Sequence, residues 1–427
     1  MRRVLGSVLV VALFASALLA PTAGAKVRYP RLDPSFGSGG YVALPGELPG
    51  PSNGSMRLEA FGAARSGAVY ATETSLVGGR CGTKCLYDAF LARVNSNGAI
   101  ASTFGGSGRV QIGSNVERVA PPIADLEGRA VVATLSGRTV TVRRYLANGS
   151  IDSSFGSGGT TSIDFGPGPE GFWLRPELAL DGEGRILVAL SIYSEGTSIA
   201  VASSLARLHP DGAVDNGFGS AGIVPLGAQP GQNGIAFGTS NAIYMWGGSV
   251  SGPYLHRISA KGRIDTAFNA RADRSLVNVS ARGALEYRNS VLIPRSGGKL
   301  DLYGGDGLLR LRSNGATETK FGEGGVKLLG WSILAATLVG NGKVLGLGTS
   351  SEGVSLVRLK SNGKPDRSFG QEGAQLIEGV DEEEEGGLSL AWLNGRRAQV
   401  LNLGSSFCRS YCAPKPTLVR YRIGPKG

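Results

Sequence analysis

The sequence predicts an all-β fold: a seven-bladed β-propeller with four antiparallel strands per blade, its ring closed by the N-terminal strand joining the C-terminal blade. Three observations predict it. One polar segment recurs seven times, the apolar runs between its copies recur in a fixed order, and the two chain ends carry complementary halves of one repeat. Composition agrees. Glycine supplies 68 of 427 residues while the apolar share is 41%, so the chain is turn-rich yet able to fill a core.

The recurring segment is anchored on a phenylalanine followed by a glycine-rich turn. It reads "RLDPSFGSGGYVAL" at Phe36, "NGSIDSSFGSGGTTSI" at Phe155 and "DGAVDNGFGSAGIVPL" at Phe218, with further copies at Phe104, Phe268, Phe321 and Phe369. The spacings of 48 to 68 residues match one propeller blade better than one solenoid coil. Within each period a first apolar run precedes a Gly turn, as in "ELALDGEG", and a second follows it, as in "RILVAL". A third run carries an arginine, as in "LARL" and "LLRLR", and the fourth is the short run after the F-G turn. Four short strands bounded by Gly, Asn and Asp make one antiparallel sheet, since those residues tolerate the positive φ of tight turns.

The chain ends complete the count. "TLVRYRIGPKG" is an arginine strand with no F-G segment after it, and "LDPSFGSGGYVAL" is an F-G segment with no arginine strand before it. Joined, residues 386–427 and 31–44 make the seventh blade, which spares the ring a raw sheet edge. The domain layout expected is therefore a leader over 1–25 and a single propeller over 26–427. These segments resemble the delta-60 repeat, a bacterial β-propeller family of unassigned function, distantly similar in layout to NHL propellers. The resemblance spans nearly the whole chain after the leader and implies a fold but no activity. Two copies depart from it: "FNARADR" replaces the F-G turn at Phe268, and Ala101 stands where the others carry an acid, so altered turns are expected there.

The repeated polar residues have a scaffold explanation. Eleven residues before the anchors stand Arg93, Arg144, Arg207, Arg257, Arg310 and Arg358, with Arg420 serving the split blade; three before stand Asp33, Ala101, Asp152, Asp215, Asp265, Glu318 and Asp366. Arginine and carboxylate are placed to pair across a turn, or the carboxylate to accept the turn's N–H groups. The phenylalanine is expected to wedge between blades.

The N-terminus, MRRVLGSVLVVALFASALLAPTAGAKV, sets Arg2 and Arg3 before a short apolar run and Ala23-Gly24-Ala25 at a cleavable position. It reads as an export leader, with the mature chain starting near Lys26, secreted, extracellular or periplasmic, with no later membrane span. Formal charge is +11, falling to +9 when Arg2 and Arg3 leave with the leader. Seven arginines are expected to be internally paired, and no aromatic-basic stripe is present, so nucleic acid is not an expected partner.

Enzyme signatures are scarce. His209 and His256 lie at odd relative offset in different blades, on opposite strand faces. Zincin, Walker, nucleophile-elbow and calcium-loop motifs are missing, so no metal, cofactor or catalytic residue is assigned. The inner strands read as mostly apolar, with Glu59, Asp125 and Glu177 the acids on or near them and no converging polar cluster legible.

Cys81 with Cys85, and Cys408 with Cys412, lie between second and third strands of the first and seventh blades, neighbours across the ring closure. Oxidation is expected outside the cell. The pairing is open between two local bridges, bridges across the closure and a four-thiolate zinc site. The irregular segments, including "GPGPEGFWLRP" and "EGVDEEEEGG", fall on one face with the cysteine loops. Loops on a rigid scaffold commonly carry binding. Trp173 is a candidate saccharide or peptide platform, and Asp381, Glu382, Glu383, Glu384 and Glu385 a candidate for a cation or basic partner, against a solvated loop. The expectation is a secreted, monomeric binding module for a protein or polysaccharide of the cell envelope. An enzyme acting at the top face and a purely structural surface protein are the rivals.

Overall fold

The computed structural model describes residues 30–44, 56–77, 85–166, 172–194, 200–227, 232–249, 252–281, 283, 285, 290–378, 388–393, 396–402 and 417–424. Seven separate sheets follow one another along the chain. Blade 1 uses residues 56–116, blade 2 118–164, blade 3 172–227, blade 4 232–280, blade 5 291–328, blade 6 332–376, and blade 7 388–422 together with 31–43. In blades 1 to 6 chain order is also sheet order, from the strand lining the channel outward, whereas blade 7 takes its outermost strands from residues 31–43, the rest following as short Gly-rich hairpins dictate.

The register repeats as closely as the sequence does. The end of each third strand bridges the residue four before the next anchor: Val94 to Ile100, Tyr145 to Ile151, Leu208 to Val214, Leu311 to Thr317 and Leu359 to Pro365. In blade 7 the same bridge joins Tyr421 to Leu32, and Tyr41–Ala43 continues along Thr417–Val419. The split blade thus repeats across the whole chain a register that the others obtain from a local turn.

Buried apolar side chains fall into seven clusters among the described residues, one at each seam between neighbouring blades, and each holds one anchor phenylalanine. Phe155 of blade 2 packs with Ile186, Val188 and Leu208 of blade 3. Phe36 of blade 7 packs with Val69 and Val94 of blade 1, and Phe369 of blade 6 with Val400 and Tyr421 of blade 7. The core is therefore a ring of seams, because a blade is a single sheet that can bury its two faces only against its neighbours.

Blade 4 departs from four strands. Its sheet has three, and the expected outer strand is replaced by a 15-residue helix, Thr266–Ser280, whose N-cap Asp265 accepts the Phe268 N–H. Phe268, Ala272, Leu276 and Val279 face inward. In an ordinary blade the arginine N–H donates to a glycine carbonyl of the fourth strand, as Arg207 does to Gly222 (3.2 Å) and Arg358 to Gly373 (2.8 Å). Here Arg257 N–H donates to Asn269 Oδ1 (2.8 Å) and Leu255 N–H to Asp273 Oδ1 (2.9 Å). Two side chains one helical turn apart stand in for the missing backbone ladder. Asn269→Ala or Asp273→Ala leaves one strand donor unmatched and is expected to cost about 1–3 kcal/mol. Hydrogen exchange checks it: the Arg257 amide accelerates in the first variant and the Leu255 amide in the second, whereas unchanged protection of both refutes the surrogate ladder.

Candidate functional site

Most of the repeated polar groups close seams. Arg144 pairs with Asp152 (2.8 Å), its guanidinium lies 4.7 Å from the Phe155 ring centre, and it donates to the Pro210 carbonyl of blade 3 (2.6 Å). Arg207 does the same with Asp215 (2.7 Å), Phe218 (4.4 Å) and the Ala260 carbonyl (2.6 Å), and Arg257 with Asp265, Phe268 and the Ser313 carbonyl. Arg93, Arg310 and Arg420 reach the equivalent carbonyls of Ala147, Ser361 and Ser96. The acceptor always sits in the turn after the third strand of the next blade. For Arg358 that turn is where the chain ends meet, and it bonds Ser368 Oγ instead (3.1 Å).

The acids serve both roles open to them at once. Asp152 accepts from Ser154 N–H as well as Arg144, and the Ser154 hydroxyl leads the contacts holding its carboxyl below the usual range. Arginine and following acid pair directly in blades 2, 3, 4 and 6. Elsewhere the partner differs. Arg310 takes Asp301 on the neighbouring strand (2.6 Å), leaving Glu318 to Lys299 (2.7 Å). Arg420 takes Gln399 Oε1 (2.8 Å), while Asp33 is held by Arg422 (2.8 Å) and Arg397 (3.1 Å). Arg93, which has no acid to meet, lies over Tyr70 at 6.0 Å. Sequence reasoning also missed a second cation at the latches of blades 2 and 6: Arg129 to Asp152 (3.2 Å) and Lys343 to Asp366 (2.8 Å). Its signal was a basic residue directly after the first Gly turn, as in "EGRA" and "NGKV".

One polar constellation is left over, on the channel-lining strands of blades 1 to 3. Arg57 pairs in register with Thr74, Arg118 with Leu135 and Arg175 with Ser191. Each partner is five residues beyond the start of the equivalent register at Val69, Ala130 and Ile186, so the three arginines occupy one rung. Their side chains are open to solvent, Arg57 at 56% and Arg175 at 49%, and Arg118 is exposed. Glu59 lies 3.8 Å from Arg57 and accepts from Thr74 Oγ1 (2.6 Å). Glu177 lies 3.3 Å from Arg175, and burial pushes its carboxyl up against the pull of that arginine. Both acids are deeper than their arginines, at 31% and 18% exposure. In blade 4 the buried Tyr254 hydroxyl has no partner among the described residues, its ring stands edge-on to His256 (5.1 Å), and His256 Nε2 meets Asp273 (3.3 Å).

This corrects the expectation that no polar groups converge at the channel. The rung was hidden because blade 2's inner strand is broken into Arg118–Val119 and Ile123–Ala124 around Pro121-Pro122, and because a bulge between Leu58 and Ala60 offsets blade 1. Asp125 is not a channel residue. It ends the first turn of blade 2, accepting from Arg129 N–H (2.8 Å) and Arg129 Nε (2.7 Å).

The other sequence candidates are scattered. Trp173 sits in the strand Phe172–Leu180, opposite Tyr193, not in a loop, because the strand begins earlier than its Gly-Pro flank implied. It is two residues from Arg175. Asp381 to Glu385, Cys81, Cys408 and Cys412 lie outside the described residues; Cys85 lies inside them and is not a free thiol. His209 is half exposed, 3.7 Å from Asp215. No three His, Cys, Asp or Glu residues are grouped to hold a metal among the described residues. Two clefts of about 400 Å³ open on the turn face, lined by latch groups: Arg257 and Asp265 in one, Arg310 in the other.

A family model described as a domain of unknown function (DUF5122) β-propeller matches residues 184–218 and 340–369. No curated protein matches the chain. Among solved structures, the AfRom2 CNH domain is similar at 12% identity over 91% of this chain and 100% of its own, with a TM-score of 0.43. A gluconolactonase from Xanthomonas campestris is similar at 11% identity over 93% and 100%, TM-score 0.38. Prolyl oligopeptidase B from Galerina marginata is similar at 9% identity over 85% and 51%, TM-score 0.44.

Proposed function

We propose that the chain, whose repeats at 184–218 and 340–369 match the DUF5122 β-propeller model, is a secreted binding module that meets a partner of the cell envelope at the channel mouth of blades 1 to 3. One observation supports this reading: among the described residues the arginine rung is a polar row shared by successive blades and open to solvent, and its Arg175 lies two residues from Trp173. Export rests on the leader at residues 1–25, which lies outside the described residues. No helix among the described residues is long and apolar enough to cross a membrane. The module acts as a monomer without a cofactor. Combining Trp173→Ala with serine at positions 381 to 385 is expected to lower capture on isolated envelope at least tenfold while the melting temperature stays constant. Unchanged capture, or turnover of a chromogenic ester by the purified chain, refutes the binding-module reading.

A further inference from the structure

We infer that Arg57, Arg118 and Arg175 form an anion-binding rung whose ligand is an acidic saccharide chain, a polymer carrying repeated carboxylates. This deepens the binding-module reading and rests on its placement at the channel mouth. The geometry begins with register, since three independent strand pairings set an arginine at the same height on consecutive blades. An exposed side chain on a channel-lining strand has only the channel and its mouth to project into. The inner strands of blades 1 and 2, and of blades 2 and 3, lie against each other, so the rung is continuous.

Spacing selects the ligand. The inner strands of neighbouring blades approach to within 8 Å between Cα atoms, so the three rung positions together span about twice that distance. A single phosphate or a compact tricarboxylate can be shared by two neighbouring guanidinium groups but does not span all three. A chain with carboxylates recurring along its length meets two or three, each in the fork geometry guanidinium offers. The existing pairs do not oppose this. Arg57 and Arg175 are about half exposed; the Arg57 pair with Glu59 is long at 3.8 Å, and Arg175, which also meets Glu177 (3.3 Å) and the Tyr193 hydroxyl, keeps half of its side chain open to a ligand. Arg118 donates from Nη1 to the Glu117 carbonyl (3.2 Å), which leaves Nη2 to a ligand. The deeper Glu59 and Glu177 complete the match: acceptors below a row of cations suit sugar hydroxyls below a row of carboxylates.

The test uses the full mature chain and titrates a galacturonate oligomer by calorimetry, with a neutral glucose oligomer of equal length, citrate, and single-stranded DNA of equal charge as comparators. The combined variant Arg57→Gln, Arg118→Gln, Arg175→Gln is expected to weaken galacturonate binding at least thirtyfold and to flatten its salt dependence. A control removing three exposed cations elsewhere, Arg263→Gln, Lys320→Gln and Arg274→Gln, is expected to change it less than threefold. The inference is overturned if the rung variant binds within threefold of the wild type, or if the glucose oligomer, citrate or DNA binds as tightly as galacturonate. If the rung variant still captures envelope as the wild type does while the Trp173 variant does not, this inference fails and the module reading stands on Trp173. If galacturonate binds through the rung while the Trp173 variant captures envelope normally, the inference stands and that reading's use of Trp173 fails.

Discussion

Deletion of residues 26–45 is expected to abolish cooperative melting or lower its midpoint by more than 10 °C. The segment adds the outermost strand to blade 7 and delivers Phe36, Val42 and Leu44, each at most 9% exposed, to the seam with blade 1. Burying one such side chain is worth about 1.5–3 kcal/mol, so three amount to roughly 5–9 kcal/mol, comparable with the whole stability of many domains. The loss extends to Arg420, which is 1% exposed and lies 3.9 Å over the Phe36 ring, and to Arg422 and Arg397, which lose Asp33. Excision of residues 379–387, which removes no described strand, is the comparison. Equal melting of the two deletions is the result that sinks the split-blade account.

Gly149→Ala is expected to cost more than any surface substitution, about 3 kcal/mol or more, against about 1 kcal/mol for Gly137→Ala. Both glycines have positive φ, +90° and +57°, but their surroundings differ. Nothing lies within 4 Å of a Cβ at Gly137, whereas at Gly149 it meets the Gly105 nitrogen, its Cα at 2.9 Å and the Phe104 carbonyl carbon at 3.2 Å, all backbone of the previous blade. Gly105 N–H donates to the Asn148 carbonyl there (2.8 Å), as Gly37 does to Asn97 and Gly156 to Asp211. The glycine of each "NG" or "DG" turn is thus set by the neighbouring blade as much as by its own turn. Guanidinium midpoints of the two variants separate the clash from the backbone strain they share, and equal midpoints refute the close approach.

That contrast marks what the sequence made legible. Period, strand order and the wedge positions were readable because every blade meets the same neighbour, so Phe36, Phe155 and Phe218 recur under one requirement. The latch acceptors were not, because a carbonyl such as Pro210 or Ser361 leaves no mark in side-chain identity. The helix of blade 4 was visible only as a broken turn, although Phe268, Ala272, Leu276 and Val279 already carry helical spacing. Asp265 kept its place because it caps the helix with the contact it uses elsewhere to bind a turn. The arginine rung needed the pairings themselves. Arg57, Arg118 and Arg175 fall 61 and 57 residues apart, and only the bulge at Leu58 and the break at Pro121 bring them level.

The closing strand has a mechanical consequence. Arg31 stands opposite Arg422 at the end where both flanks leave the sheet, and the pairing runs inward from there through Leu32 and Tyr421 to Ala43 and Thr417. Tension between the two flanks therefore falls on one rung at a time, because antiparallel bonds lie perpendicular to their strands. The blade that closes the ring is for that reason the first to peel under load, and once it parts, Phe36 leaves its pocket and the ring opens beside blade 1.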